Sequence, residues 1–215
     1  PATATSYLTE AAVRLMLDSG LLPEGSLQLV IGGTGDLLDR LDVSDVVTFT
    51  GSADTAAKLR VHPHLVKNSI PFNAEADSLN CAILGPDVSP DDEEFDLFVK
   101  EVAKEITTKA GQKCTVIRRA IVPAKHLDAV AEKLIARLSK TVVGDPSVEG
   151  VRMGALASHA QRDDVADKVA LLKQHAKLLL GGSADVKLVG EGVDQGAFFA
   201  PTVLVCDKPL STSAV

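Results

Sequence analysis

The 215-residue sequence predicts an α/β fold, a mainly parallel sheet with flanking helices. Two observations carry that expectation. Short apolar runs rich in Val, Ile and Leu alternate along the chain with longer stretches of helical periodicity, and parallel strands need such crossover segments between them. Several of these runs end in a glycine or polar turn, as at Gly32-Gly-Thr-Gly35 and Thr50-Gly51-Ser52, before the next helical pattern opens.

Taken in order, Leu8, Ala11, Ala12, Leu15 and Met16 recur at helical spacing over Ser6 to Ser19, with Gly20 as a stop. Leu27 to Ile31 reads as a strand, the following glycines as a turn and Asp36 to Leu41 as a helix, together one βα unit. Val46 to Phe49 makes a second strand, and a helix follows Ser52 as far as Arg60. Leu65 to Phe72 reads as a weaker strand, Asn73 to Leu79 as an acid-rich polar turn and Cys81 to Leu84 as a further strand. Phe95, Phe98, Val99, Val102 and Ile106 then mark a strongly amphipathic helix behind Asp91, Asp92, Glu93 and Glu94, acids that suit the positive end of a helix dipole. Gly111 closes that helix. Strand Arg118 to Val122, helix Lys125 to Leu138, a turn at Gly144, helix His159 to Gln174 and strand Lys177 to Leu180 follow. The glycine-rich loop Gly181 to Gly196, expected to be the most mobile segment, leads to a last strand, Phe198 to Val205.

Composition narrows the function classes. With 46% hydrophobic and 24% charged residues the chain can bury a core, and a net charge of −7 with no basic stripe excludes a nucleic-acid surface. Aromatic content of 3% without tryptophan leaves little for base or sugar stacking. No apolar run reaches the roughly 18 residues of a membrane span, and no basic and apolar leader opens the chain. Cys81, Cys114 and Cys206 are odd in number and spaced unlike metal ligands, which points to free thiols in a reducing, cytoplasmic compartment. The five histidines read as structural or surface residues, and no metal site is expected. The start at Pro1 without methionine, and the stop at Thr212-Ser-Ala-Val215 after strand-like sequence, read as a piece of a longer protein.

Cys114 is the candidate nucleophile, since Lys109-Ala-Gly-Gln-Lys-Cys-Thr115 presents it on a polar junction between a helix and a strand, with Lys109, Lys113, Arg118 and Arg119 to favour a thiolate. Spacing and composition alone fit a small packing residue at least as well. Glu75, between two apolar runs, could activate water or lie on a solvated turn, and Asp77 competes for either place. At Phe49-Thr-Gly-Ser52 the amides of Gly51 and Ser52 could hold a pyrophosphate at a helix start, or Ser52 could simply cap that helix. Gly32-Gly-Thr-Gly35 lacks the full dinucleotide fingerprint.

In combination, Phe49-Thr-Gly-Ser52, Glu75, Gly111-Gln-Lys-Cys114 and Phe198-Phe-Ala-Pro-Thr202 resemble the aldehyde dehydrogenase superfamily, over essentially the whole chain. Glu75-Ala-Asp-Ser-Leu-Asn80 and Arg152-Met-Gly-Ala-Leu156 are similar to the aldehyde dehydrogenase modules of bacterial phenylacetate degradation, with those of benzoyl-CoA breakdown close by. The resemblance implies an NADP- or NAD-dependent oxidation of a CoA-linked semialdehyde from aromatic catabolism to its acid. In that scheme Cys114 attacks the aldehyde, Glu75 activates the hydrolytic water, and Gly51 and Ser52 hold the pyrophosphate.

It further implies an aldehyde dehydrogenase-like fold truncated at both ends, with residues 1–78 the back part of a dinucleotide-binding domain and 79–215 an incomplete thiol domain. The family's oxyanion asparagine and ribose lysine would lie before Pro1, and an acid for the nicotinamide ribose after Val215. The isolated chain is therefore expected to show little or no dehydrogenase turnover, and the full-length protein to form a homo-oligomer. A non-catalytic α/β binding or assembly module is the alternative. A cysteine hydrolase would need a histidine partner for the thiol, and none is convincing.

Overall fold

The computed structural model describes residues 2–209, so Pro1 and residues 210–215, including the terminal stretch at Thr212–Val215, lie outside the described residues. The chain divides into two compact units, Pro1–Asp77 and Ser78–Val215.

The first unit opens with helix α1 (Ser6–Asp18), which buries none of its residues and leaves Leu8, Leu15 and Met16 exposed. Its periodicity makes the helix, and Gly20, at φ +68°, ends it. Strands β1 (Val47–Gly51) and β2 (Phe72–Ala76) pair in parallel with Thr50 opposite Glu75 and Gly51 opposite Ala76. The crossover between them carries α2 (Ala53–Arg60) and α3 (Pro63–Lys67), whose Ala56 and Leu65 are buried with the nearby Ile70. Pro63 sits at the start of α3, where its fixed φ and missing N–H cost nothing.

The second unit repeats the pattern with a larger core. Strand β3 (Asn80–Ile83), helix α4 (Glu93–Thr107) and strand β4 (Ile117–Ile121) form a second parallel crossover, and α5 (Leu127–Leu138) packs on α4. Phe95, Val99, Val102 and Ala103 of α4 meet Val130, Leu134 and Leu138 of α5 and Leu84 in one buried cluster. Those positions recur at three and four residues on each helix, so the apolar stripe read from the sequence is the buried face. Beyond it, β5 (Val143–Gly144) runs parallel to β7 (Leu188–Val189), while α6 (His159–Leu172) leads to β6 (Lys177–Leu180), antiparallel to β8 (Val203–Val205). Val143, Met153 and Phe198 make a second, smaller cluster.

Gly144 is required here by space. A Cβ at Gly144 would stand 1.9 Å from the Val189 carbonyl oxygen and 2.7 Å from the Val189 nitrogen, both backbone atoms of the paired strand. Gly144→Ala is therefore expected to destabilise the chain by about 1–3 kcal/mol, the ordinary range for overpacking. A thermal melt checks it; an unchanged midpoint would mean that β5 and β7 part without cost.

Three of the four strand pairs are parallel, as the alternation of strands and helices implied, but the strands form four two-stranded sheets among the described residues. Leu27 to Ile31 is not a strand. Its side chains alternate as a strand's would, yet it pairs with no neighbour among the described residues, and an extended segment counts as sheet only when its backbone is paired. Asp36 to Leu41 holds only a short 3₁₀ turn, Leu37–Arg40. Leu65 is helical, and the strand expected there starts at Phe72 and runs through Asn73 and Glu75, residues whose polarity suggested a turn. Pairing with β1 overrides their low strand propensity. Phe198 and Phe199 are buried outside any strand, and β8 begins at Val203. The glycine loop contains β7 and is tied down where Gly182 N donates to Thr202 Oγ1 at 2.9 Å and Ala200 N to the Ser183 carbonyl at 3.0 Å. No helix among the described residues is long and apolar enough to cross a membrane.

Candidate active site

In the first unit, the turn after β1 and the end of β2 share one end of a parallel pair, the carboxyl end at which open α/β sheets place their ligands. Ser52 caps α2: its Oγ accepts from Thr55 N at 3.3 Å and donates to Thr55 Oγ1 at 2.9 Å. Gly51 has its neighbour's ring across it, since a Cβ there would lie 2.5 Å from Phe49 Cζ. Glu75 is exposed on β2. Asp77 takes the left-handed φ of +43° that a short polar side chain tolerates, and its Oδ2 accepts from Ala53 N at 3.0 Å. The carboxylate that competed with Glu75 in the sequence is thus a second cap on α2. The N–H groups of Ser52 and Asp54 remain without an acceptor among the described residues.

In the second unit the chain leaves α4 through an unusual turn. Lys109, Ala110 and Gly111 are all left-handed, at φ 52°, 52° and 72°, and the two that are not glycine cost of order 1–3 kcal/mol each. Side chains hold the turn on both sides. Gln112 Oε1 accepts from Ala157 N at 2.8 Å, and its Nε2 donates to the carbonyls of Lys109 at 3.0 Å and Ala155 at 3.3 Å. Val116 is buried, 3% exposed. Between these fixed points Cys114 is exposed.

The Cys114 carbonyl accepts two donors, Ser78 Oγ and Asn80 Nδ2, the latter at 2.7 Å. Asn80 Nδ2 also reaches the Val116 carbonyl at 3.4 Å. In a trans peptide the N–H lies opposite the carbonyl, so this double anchor also fixes the direction of the Thr115 N–H. The Cys114 N–H has no acceptor among the described residues and remains available to a developing oxyanion. Lys113 does not stand free beside the thiol: its Nζ pairs with Glu105 Oε1 at 2.7 Å, and the carboxylate is only 12% exposed. That pairing removes one of the cations counted on to favour a thiolate.

The structure thus groups Gly51, Ser52 and Glu75 in the first unit and sets Cys114 in the second. Sequence reasoning gave no role to Ser78, Asn80 or Gln112. The signal for them lay in quoted segments, Glu75 to Asn80 and Gly111 to Cys114, but a side chain that anchors a carbonyl thirty-odd residues away leaves no local pattern. No group of three or more His, Cys, Asp and Glu gathers as metal ligands among the described residues.

Comparison with known proteins bears on this arrangement. The model of the aldehyde dehydrogenase family matches residues 1–213. The chain is 46% identical over its whole length to a 3,4-dehydroadipyl-CoA semialdehyde dehydrogenase of Aromatoleum evansii, of which it covers 42%. It is 28% identical to 1-pyrroline-5-carboxylate dehydrogenase 2 of Bacillus subtilis, with 94% of this chain and 38% of that one aligned. Among solved structures, a Mycobacterium tuberculosis aldehyde dehydrogenase complexed with NAD+ superposes with a TM-score of 0.76 at 28% identity, over 92% of this chain and 39% of that one. A Staphylococcus aureus betaine aldehyde dehydrogenase double mutant in complex with NAD+, carrying a BME-modified cysteine, superposes at 0.83 with 25% identity over 99% and 42%. The chain therefore spans about two fifths of the length of these relatives. A family model matched over nearly every residue and a relative sharing close to half of them agree with the fold: the chain belongs to the aldehyde dehydrogenase family.

Proposed function

We propose that this chain carries the thiol nucleophile, the water-activating carboxylate and part of the dinucleotide site of an NAD(P)-dependent aldehyde dehydrogenase that oxidises a CoA-linked semialdehyde to its acid. Residues 1–78 belong to the dinucleotide-binding part and 79–215 to the thiol part. The observation that carries the reading is Cys114, exposed three residues beyond a strained turn and with its carbonyl fixed by two donors, in a chain of this family. The substrate class follows from the 46% identical relative, whose name specifies a CoA-linked semialdehyde; an origin in aromatic catabolism rests on the resemblance carried by Glu75 to Asn80 and Arg152 to Leu156.

The residues present suit a dinucleotide. Two unpartnered N–H groups, on Ser52 and Asp54, stand at the positive end of α2 beside a glycine, and they would hold the pyrophosphate. When bound, the nicotinamide supplies a hydride acceptor. The protein's own part is covalent. Cys114 Sγ attacks the aldehyde carbon, the carbonyl oxygen becomes an oxyanion met by the Cys114 N–H, and loss of hydride leaves a thioester on the sulfur. Glu75 then takes a proton from water, the hydroxide displaces the thiolate, and the acid leaves.

Thiol chemistry tests the reading on the chain itself. Cys114 is expected to react with iodoacetamide near neutral pH at least about tenfold faster than Cys81, which is also exposed, and Cys206, with Cys114→Ala as the control. Equal, slow labelling of all three would favour a non-catalytic module.

A further inference from the structure

Five cations line one open groove of 340 Å³ on the second unit, and no carboxylate is among its lining residues: Lys100, Lys104, Arg137, Lys140 and Arg152. The neutral lining includes Thr107 and Leu138, both buried. In a chain of net charge −7 such a collection is not a matter of composition. Helix ends account for part of it, because Lys104 and Arg137 occupy the last turns of α4 and α5, where a cation suits the dipole.

The other three have no such explanation. Lys100 stands four residues before Lys104 on α4, a like-charge spacing that disfavours a helix. Lys140 follows α5, and Arg152 arrives from a loop, where one nitrogen donates to Thr108 Oγ1 at 3.2 Å and its fork retains further donors. The acids nearby are already engaged: Glu101 holds Lys104 Nζ at 2.9 Å, and Asp96 holds Lys133 Nζ at 2.8 Å. With Lys104 paired to Glu101, the ammonium groups of Lys100 and Lys140 and two guanidinium forks around one cleft match a ligand with several phosphates.

The groove adjoins the end of α4, from which the chain passes through Lys109 to Gly111 and on to Cys114. We propose that it takes the nucleotide end of a coenzyme A thioester, its pyrophosphate and 3′-phosphate, while the acyl arm is left for the thiol. The assignment rests on the CoA-linked substrate of the proposed function.

The probe is desulpho-CoA, which has no thiol to exchange with the protein's cysteines, titrated calorimetrically at low and at physiological salt beside inorganic pyrophosphate. The chain is expected to bind desulpho-CoA more tightly than pyrophosphate, with affinity falling as salt rises. Lys100→Glu with Lys140→Glu should weaken it by about tenfold or more, and the milder Lys140→Gln by a fraction of that, both with unchanged circular dichroism and unchanged Cys114 alkylation. No binding to the unaltered chain, or equal binding to the double variant, would overturn the proposal. So would pyrophosphate binding as tightly as desulpho-CoA, which would make the groove a general anion site. The two readings separate cleanly: fast Cys114 labelling without desulpho-CoA binding removes the groove and keeps the thiol chemistry. Groove-dependent binding with slow Cys114 labelling supports the groove and removes the dehydrogenase reading.

Discussion

With p-nitrophenyl acetate as acyl donor, Glu75→Gln is expected to keep the first equivalent of p-nitrophenolate and to lose steady-state release by about 10²–10⁴-fold, the usual share of a general base. The ester delivers an acyl group to the Cys114 sulfur and expels p-nitrophenolate, so the thioester forms with no hydride to transfer. Its hydrolysis needs only water and a base. Attack depends on the thiol and its fixed carbonyl, whereas deacylation depends on the carboxylate, and the substitution removes the second without the first. Cys114→Ala should remove both phases. Equal steady-state rates in Glu75→Gln and the unaltered chain would assign the water to another base, with Asp77 next in line. Asp77 is the weaker candidate because its Oδ2 is already occupied by the Ala53 N–H at 3.0 Å. Loss of the first phase as well would mean that Glu75 acts on the thiol.

The parts of this site that were legible in the sequence are those with a local signature. The helix with apolar residues at 95, 99, 102 and 106 had to bury one face, and Ser52 ahead of Ala53–Arg60 had to cap a helix, so both were readable from periodicity and residue type. Cys114 was readable as a junction residue, but its exposure was not, because the exposure comes from Gln112 on one side and Val116 on the other. Elements that depend on a distant partner were misread. Leu27 to Ile31 has strand composition and no strand beside it among the described residues, while Asn73 to Ala76 has turn composition and gains a strand from β1. The charge at Lys113 was misread for the same reason, since its partner Glu105 lies on the preceding helix, eight residues away.

Phe95→Ala is expected to cost about 3–5 kcal/mol, a large part of the 5–15 kcal/mol that holds a domain of ordinary stability. Phe95 is fully buried, at 0% exposure, in the cluster where α4 meets α5. The His126 ring stands edge-on to it, centroids 5.9 Å apart at 82°, and Lys133 Nζ lies 4.9 Å from its centroid. Lys133 is held there by the Pro90 carbonyl and by Asp96 Oδ1, each at 2.8 Å, and its hydrogen bond keeps the Asp96 carboxyl below the usual carboxylate range. Truncation therefore removes the ring contacts and leaves a cavity beside the His126 ring, whose buried Nε2 has no partner among the described residues. Water entering that cavity would find a polar atom, which draws the cost towards the lower end of the range. Phe95→Leu should cost less than about 1.5 kcal/mol. With no tryptophan and only Tyr7, denaturation is followed by far-ultraviolet circular dichroism. A loss under about 1 kcal/mol for the alanine variant would mean that α4 and α5 close over the gap. The same variant ties the core to the chemistry: α4 delivers the chain into the left-handed turn at Lys109 to Gly111, so a loosened helix has less hold on that strain. Cys114 alkylation in Phe95→Ala is accordingly expected to lose its advantage over Cys81 at denaturant concentrations where the helices still report as folded.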